Sequence, residues 1–516
     1  WAVRMNERYI HCFSKRSVVM GQPSEQLNKP GYIPLAAYVA DISRMQRDGP
    51  WRLPLGIMDR VQIWALAGII RFSWISGALC VLWTERWSPA YSVLISYLRR
   101  QGYLDTLTEK EVRGGTGFSY LATKRVVDGD RVWKVSGQGF DRDATVALSK
   151  AIGELLERMI ASRMDMTKKR ITASPDAMIQ ADRLILYPPR YHRFLEVQQE
   201  RYARLRYAST DPIEWVSGRR LSSQESVWVP SHMTSWFFGL RYFETKLFVQ
   251  PTSNGSAGYF TRTGAILRGL LETVHRDGLL VHWLTMIPPR RIAPETLPDD
   301  MRSMVRDLES IGLSITLLDT TSLSIPSVCV AAISEQAEVP QVVLSGSAAV
   351  TFEQALSHAL EEMLLLASAF ALHADQPEVG QQEPFVSKLN KETRQHYWRG
   401  AERIDQFHWF ISGDLVAYDA VCQGDIHCHG GDAHALRACI DRLESMGDGY
   451  GPIAYHPENP LQKKLGFYVE QVFIPKAFPL YLLEYYGTFE SDRLEEFARS
   501  KGVDTWKLNP LPHMFS

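Results

Sequence analysis

The chain has 516 residues, 45% hydrophobic and 22% charged, with a formal net charge of −1. That length suffices for a sizeable core and about two to four domains, and the near-neutral balance excludes the strong basic excess of a broad nucleic-acid surface. Six scattered cysteines with no Cys-x-x-Cys pair fit a reducing cytoplasm rather than a disulfide framework.

The first hundred residues differ from the rest. They hold six of the fourteen tryptophans: Trp1, Trp51, Trp64, Trp74, Trp83 and Trp87. They open on Trp1 without a secretory-signal pattern, as expected of a trimmed or incomplete start. Residues 61–83 are apolar and long enough to span a bilayer. Arg71 lies near their middle, at a cost of about 2.5–3.5 kcal/mol on insertion scales, so a buried or partner-covered helix is expected instead of a membrane span. Residues 90–104 read as an amphipathic helix stopped at Gly102. Residues 1–104 are thus expected to be a mostly helical N-terminal extension with a partner-docking surface, ahead of one domain over residues 105–516.

Residues 117–135 alternate apolar and polar around Asp128-Gly129, a hairpin pattern. Residues 136–158 read as a small-residue loop followed by a helix. The same loop–helix pattern returns at 254–276, and a third time at 345–365. Residues 226–250 are strand-rich, 313–347 read as strands, and 351–372 as a long helix. Residues 373–405 are polar and expected to form a surface excursion. Residues 465–475 read as a strand ended by Pro475. The sum predicts a mixed α/β fold.

Two of the helices carry a shared pattern. One presents Glu154, Glu157 and Arg158; the other Glu272, His275 and Arg276. Residues three apart lie on one helix face, so each helix can aim two ligand-type side chains and an arginine at a common point. Magnesium takes one or two carboxylates plus water and phosphate oxygens. Glu154, Glu157, Glu272 and Glu362 are carboxylates of that kind, and the arginines suit phosphate. No G-x-x-x-x-G-K-[ST] segment exists, and Gly114-Gly115-x-Gly117 has the wrong spacing for a dinucleotide fingerprint. A single E-x-x-E-R cluster is ordinarily a solvated face with local salt bridges; two of them, each behind a glycine-containing loop, point towards function. Glu272-x-x-His275 also has di-iron spacing but lacks a second such pair. His427-Cys428-His429, with Asp432 and His434, offers a zinc alternative whose spacing fits no common module.

These segments resemble the YcaO family over roughly residues 105–516. Lys150 through Arg158 resembles the family's S-A-x-G-E-x-x-E-R motif. Ser253-Asn254-Gly255 and Glu272 through Asp277 resemble its second. Ala355-Leu356 through Glu362 resembles its third helix, and Phe473-Ile474-Pro475 with Phe478-Pro479-Leu480 its late I-P-G-x-x-P-L element. The ending Asn509-Pro510-Leu511-Pro512-His513-Met514-Phe515-Ser516 resembles the proline-rich tail of azoline-forming members. Departures are Lys150, Gln138, Phe260, His275, Leu365, Met514 and Ser516.

The resemblance implies a YcaO-type fold of sheets and helices around a nucleotide cleft. It implies ATP and Mg2+ as cofactors, bound through Ser149, Glu154, Glu157, Arg158, Asn254, Glu272, His275, Arg276 and Glu362. The four glutamates would be the metal ligands. It implies a catalytic tail with Pro510, Pro512 and His513. The implied activity is ATP-dependent cyclodehydration of Cys, Ser or Thr in a ribosomally made precursor peptide, giving thiazolines or oxazolines. Thioamide formation, macrolactamidine formation and a degenerate peptide-binding subunit stay open beside it. Implied partners are the precursor peptide, a separate E1-like leader-binding subunit and an FMN-dependent azoline dehydrogenase. The chain would form a homodimer within a hetero-oligomer.

Overall fold

The computed structural model describes residues 32–34, 81–83, 89–110, 117–128, 131–162, 170–234, 247–334, 341–369, 380, 382–428 and 430–514. Most of the apolar stretch at 61–83 lies outside them, as do Gly114, Gly115, Gly129, His429, Phe515 and Ser516. The chain divides into two compact units. One comprises residues 1–111, 117–156 and 460–467, the other residues 112–116, 157–459 and 468–516.

In the first unit, helix α1 (Pro89–Arg100) buries Leu94 and Leu98, four residues apart on one face. Arg99 and Arg100 complement its C-terminal dipole, and Gly102, at φ +73°, turns the chain away. Strands β1 (Thr106–Lys110), β2 (Phe118–Asp128) and β3 (Arg131–Asp141) form an antiparallel meander, with Asp128 opposite Arg131. The predicted hairpin is therefore present but longer than its pattern. Residues 136–141, expected as a loop, are the second half of β3. Their glycines alternate along one face of the strand, against helix α2 (Ala144–Ser162). A Cβ on Gly139 would lie 2.1 Å from the Ala147 carbonyl oxygen, and one on Gly137 2.3 Å from that of Ala151. The glycines thus serve close strand–helix contact, not a turn.

Among the described residues, the second unit holds two larger sheets and a two-stranded pair, His192–Arg193 with Glu490–Ser491. In the first, β4 (Arg170–Ala173), β5 (Ile213–Arg220), β6 (Ser226–Pro230), β7 (Ser256–Tyr259), β13 (Ile453–Tyr455) and β14 (Tyr468–Phe473) are antiparallel in the order β7-β14-β13-β5-β4, with β6 also on β5. In the second, β8 (Arg290–Ile292), β9 (Ser314–Asp319), β10 (Ser327–Ile333), β11 (Val342–Ala348) and β12 (Leu415–Val416) run in the order β11-β10-β9-β8-β12. Helix α3 (Arg262–Thr285) packs on β7 and β14 of one sheet and on β10 and β11 of the other. This explains why α3 is apolar around most of its girth: Leu270, Val274, Leu280 and Leu284 are all buried. Helix α4 (Phe352–Ala369) covers β10 and β11. Residues 373–405 are not only a surface excursion. Their described part includes helix α5 (Lys391–Tyr397) and buries Arg394 and Trp398. Helices α6 (Asp432–Ser445) and α7 (Asp492–Ser500) complete the elements used below.

Three of this unit's buried histidines, outside the predicted site residues, tie its stability to pH. His192 contacts Ser491 Oγ at 2.8 Å and the Pro475 carbonyl at 3.2 Å; His282 contacts the Ile287 carbonyl at 2.7 Å; His232 packs edge-on against Phe248. Burial lowers each to about 4, from 6.5. Between those values the unfolded chain binds the extra protons. Their contribution is whole above about pH 6.5 and is lost as pH falls towards 4, at up to roughly 3 kcal/mol apiece. The melting temperature is expected to be flat near pH 7 and to drop steadily from pH 6.5 to 4. A constant value across that window would contradict the assignment.

Candidate active site

The three loop–helix segments of the sequence are strand–helix units, and two of them share one hydrogen-bond geometry. In the first, the backbone N–H of Gln138 on β3 donates to Glu154 of α2 at 2.5 Å, sixteen residues downstream. In the third, the N–H of Gly346 on β11 donates to Glu362 of α4 at 3.1 Å, again sixteen residues downstream. In the second, the Gly255 N–H, just before β7 and seventeen residues upstream, helps to lower the pKa of the Glu272 carboxyl of α3. A third bond, from Gly258 of β7 to Glu157 at 2.9 Å, holds another motif glutamate. Glu154, Glu157 and Glu362 are thus each aimed by a backbone donor, which fixes the rotamer whatever the donor's side chain. Gln138, a departure from the family pattern, serves through its backbone.

Local sequence makes these approaches possible. Gly255 sits at φ +74°, and a Cβ there would lie 2.1 Å from the Val472 carbonyl oxygen. Thr261 caps α3, its hydroxyl accepting the Gly264 N–H at 3.0 Å. A Cβ on Gly346 would lie 2.2 Å from His275 Nε2, so the imidazole packs directly on the β11 backbone.

A cleft of about 810 Å³ opens between α3, the end of β11, the start of α4 and the 426–435 segment. Glu272, His275 and Arg276 line it with Arg268, Gln354 and His358. Glu272 and Arg276 form an i,i+4 pair at 3.4 Å. Burial pushes the Glu272 carboxyl above the usual range, against the pull of Arg276, the Gly255 N–H and Arg158. Burial, and then Arg276, holds His275 well below its ordinary value. Where the family motif has a second carboxylate, this chain has a neutral ring. Arg268 stacks on Tyr259 at 3.5 Å and pairs with Asp432 at 3.5 Å.

The residues fit a magnesium–phosphate group. Glu272 carries a burial cost that a cation relieves, and arginines stand beside it. Among the described residues no three His, Cys, Asp or Glu side chains come together to hold a metal alone. Magnesium, which completes its shell with water and phosphate, suits such a donor set. An all-protein zinc or di-iron cage needs more ligands. His427, Cys428 and Asp432 line the cleft wall instead.

The other predicted residues are placed as follows. Ser149 and Glu154 belong to the first unit; the Ser149 hydroxyl donates to the Thr145 carbonyl at 2.8 Å. Glu157 and Arg158 belong to the second, where Arg158 acts electrostatically on Glu272. Asn254 lines a separate small cavity with Thr273 and Pro475, and its Oδ1 is buried without a hydrogen bond. Pro510 and Pro512 line a cavity of about 170 Å³ with Arg403 and Glu484. His513 is buried, and Arg276 adds to the forces that keep it neutral. Sequence reasoning missed Arg268, Gln354 and His358. Their signal was the four-residue spacing Arg268–Glu272–Arg276 and Gln354–His358–Glu362.

Among the described residues no helix is long and apolar enough to cross a membrane. No curated protein matches the chain. A family model described as "YcaO cyclodehydratase, ATP-ad Mg2+-binding" matches residues 136–477. Among solved structures, a heterocyclase in complex with substrate and cofactor aligns with TM-score 0.65 at 17% identity, over 80% of this chain and 55% of that one. The YcaO protein of Methanopyrus kandleri, bound with AMPPCP and Mg2+, aligns with TM-score 0.55 at 18% identity, over 74% and 90%. The heterocyclase TruD aligns with TM-score 0.53 at 15% identity, over 73% and 52%. The chain therefore spans about half the length of the two heterocyclases. The family match covers more than half of this chain, including all three strand–helix units, and the chain belongs to the YcaO family of ATP-dependent, Mg2+-binding enzymes.

Proposed function

We propose that this chain catalyses ATP-dependent cyclodehydration of Cys, Ser or Thr residues in a ribosomally made precursor peptide. The observation that carries this reading is the backbone-aimed glutamates Glu157 and Glu362, with Glu272 lining the cleft beside Arg276 and with Arg158 in the same unit. Glu154, one turn before Glu157, is the fourth carboxylate assigned by the motif. In the proposed reaction the side-chain thiol or hydroxyl attacks the preceding backbone carbonyl. The resulting oxyanion takes the γ-phosphoryl group of ATP, and loss of phosphate leaves a thiazoline or oxazoline. The glutamates would hold magnesium, which neutralises phosphate charge when bound. Arg158 and Arg276 would orient phosphate oxygens through charge-assisted hydrogen bonds. The chain's work is positioning and charge stabilisation.

The partners in this reading are the precursor peptide, a separate E1-like leader-binding subunit and an FMN-dependent azoline dehydrogenase, with the chain as a homodimer in the assembly. A cytoplasmic setting suits the free thiols that the described residues hold at Cys329, Cys422, Cys428 and Cys439. The test is ATP turnover by the full chain with and without partner and precursor, read alongside peptide mass. Cyclodehydration removes one water per ring, whereas thioamide formation exchanges oxygen for sulfur. Peptide-stimulated ATP turnover with loss of water is expected. Nucleotide binding without turnover under any combination would instead identify a degenerate subunit.

A further inference from the structure

The C-terminal segment, residues 509–514, is packed into the second unit, and Met514 joins its main hydrophobic cluster. Pro510 and Pro512 have no N–H, so the segment cannot secure itself in a ladder or helix. Its carbonyl oxygens need outside donors, and two indoles supply them. Trp283 Nε1 donates to the Leu511 carbonyl at 3.1 Å, and Trp398 Nε1 donates to that of Pro512 at 3.1 Å. The start of the segment is tied to α3, with the Asn509 N–H donating to the Leu284 carbonyl at 2.9 Å and Asn509 Nδ2 to that of Trp283 at 3.1 Å.

The end of the segment meets a buried ion pair. His513 Nε2 lies between the Tyr481 carbonyl, at 2.9 Å, and the Arg394 guanidinium. Arg394 is 1% exposed. Its Nη2 donates to the Leu482 carbonyl at 2.6 Å, and Nη1 is 3.6 Å from Glu484 Oε1. Packing a tail against a core requires only apolar surface, and a buried guanidinium with its counter-charge is an expensive addition. What the pair adds is direction: a planar, multi-donor fork that fixes one ring and one carbonyl at once. The clamp also shares an element with the cleft. Trp283 and Arg276 both lie on α3, about 10 Å apart along its axis at the usual rise per residue.

We propose that Arg394, backed by Glu484 and acting with Trp283 and Trp398, is a positioning clamp that holds the C-terminal segment in register with the Glu272–Arg276 face of α3 and so sets the rate of peptide modification. This rests on the reading of the tail as part of the active site. The test compares the wild type with Arg394→Met/Glu484→Gln, which leaves no lone buried charge, in the full chain with its partner and precursor. Release of C-terminal residues by carboxypeptidase, kcat and KM for peptide modification, and ATP affinity are measured together. Release is expected to rise and kcat to fall about tenfold each, the worth of roughly one good hydrogen bond, with ATP affinity kept. Arg394→Lys should recover part of kcat, because it restores the charge without the fork. Trp398→Phe, which removes the indole N–H and keeps an aromatic ring, should move release and kcat the same way by less, and it provides the reading if the double variant does not fold. A tail equally protected in the double variant and in Trp398→Phe overturns the clamp. A tail released with kcat unchanged leaves the anchoring intact and overturns the tail's role in the reaction.

Discussion

Glu157→Gln is expected to fold normally and to lose ATP turnover by roughly 10²–10³-fold or more, the usual effect of removing one preorganised charge-stabilising group. The amide keeps the carbonyl oxygen that accepts the Gly258 N–H, so the hydrogen bond that aims the side chain survives. What is removed is the anion. Glu362→Gln similarly keeps an acceptor for Gly346, and Glu272→Gln one for Arg276. All three variants should therefore retain the wild-type melting temperature while turnover collapses. Phosphoryl transfer gives a protein little to do except place charge, which is why loss of charge alone should be so costly. Glu495→Gln, on the exposed face of α7, is the matched control and should change nothing. Wild-type turnover in Glu157→Gln would remove it from the metal–phosphate group.

Much of this arrangement was legible in the sequence, because helix-face spacing does not depend on the rest of the fold. Glu272, His275 and Arg276 fall on one face of α3 by three- and four-residue spacing, and they line one cleft. The strands at 313–347 were legible from continuous apolar runs, and β10 is buried along its whole length. The glycines were misread. Gly137 and Gly139 were assigned to a loop because glycine punctuates turns, but their two-residue period is that of a strand facing a helix backbone. The polar segment around α5 was assigned to the surface on composition. Nothing local indicates that Arg394 is buried, since its partners lie 88 to 119 residues away. The same holds for Asp277, which the motif placed beside Arg276 but whose partners come from three distant segments.

Asp277→Asn is expected to cost about 3–5 kcal/mol of stability, the range for breaking a buried ion pair by removing one partner. Asp277 is fully buried and Arg493 is 2% exposed. The guanidinium reaches the carboxylate through Nη2 at 2.6 Å and Nε at 2.9 Å. The same carboxylate accepts the Phe478 N–H at 2.7 Å and the Ser322 hydroxyl at 2.7 Å. One side chain of α3 thus secures α7, the turn between β9 and β10, and the segment that leaves β14. An amide offers a single acceptor oxygen to these four donors, and its NH₂ faces a guanidinium that can only donate. Arg493 would remain buried without its counter-charge. The urea midpoint should fall well below that of the wild type, and an unchanged midpoint would show that the pair contributes nothing net. The double replacement Asp277→Leu/Arg493→Met should be less destabilised than the sum of its single variants, because it removes the stranded charge along with the pair. ATP turnover per folded molecule should change far less than in Glu157→Gln. That contrast separates two neighbouring acids of one motif helix: Glu272 faces the cleft, and five residues on Asp277 holds the helix that presents it.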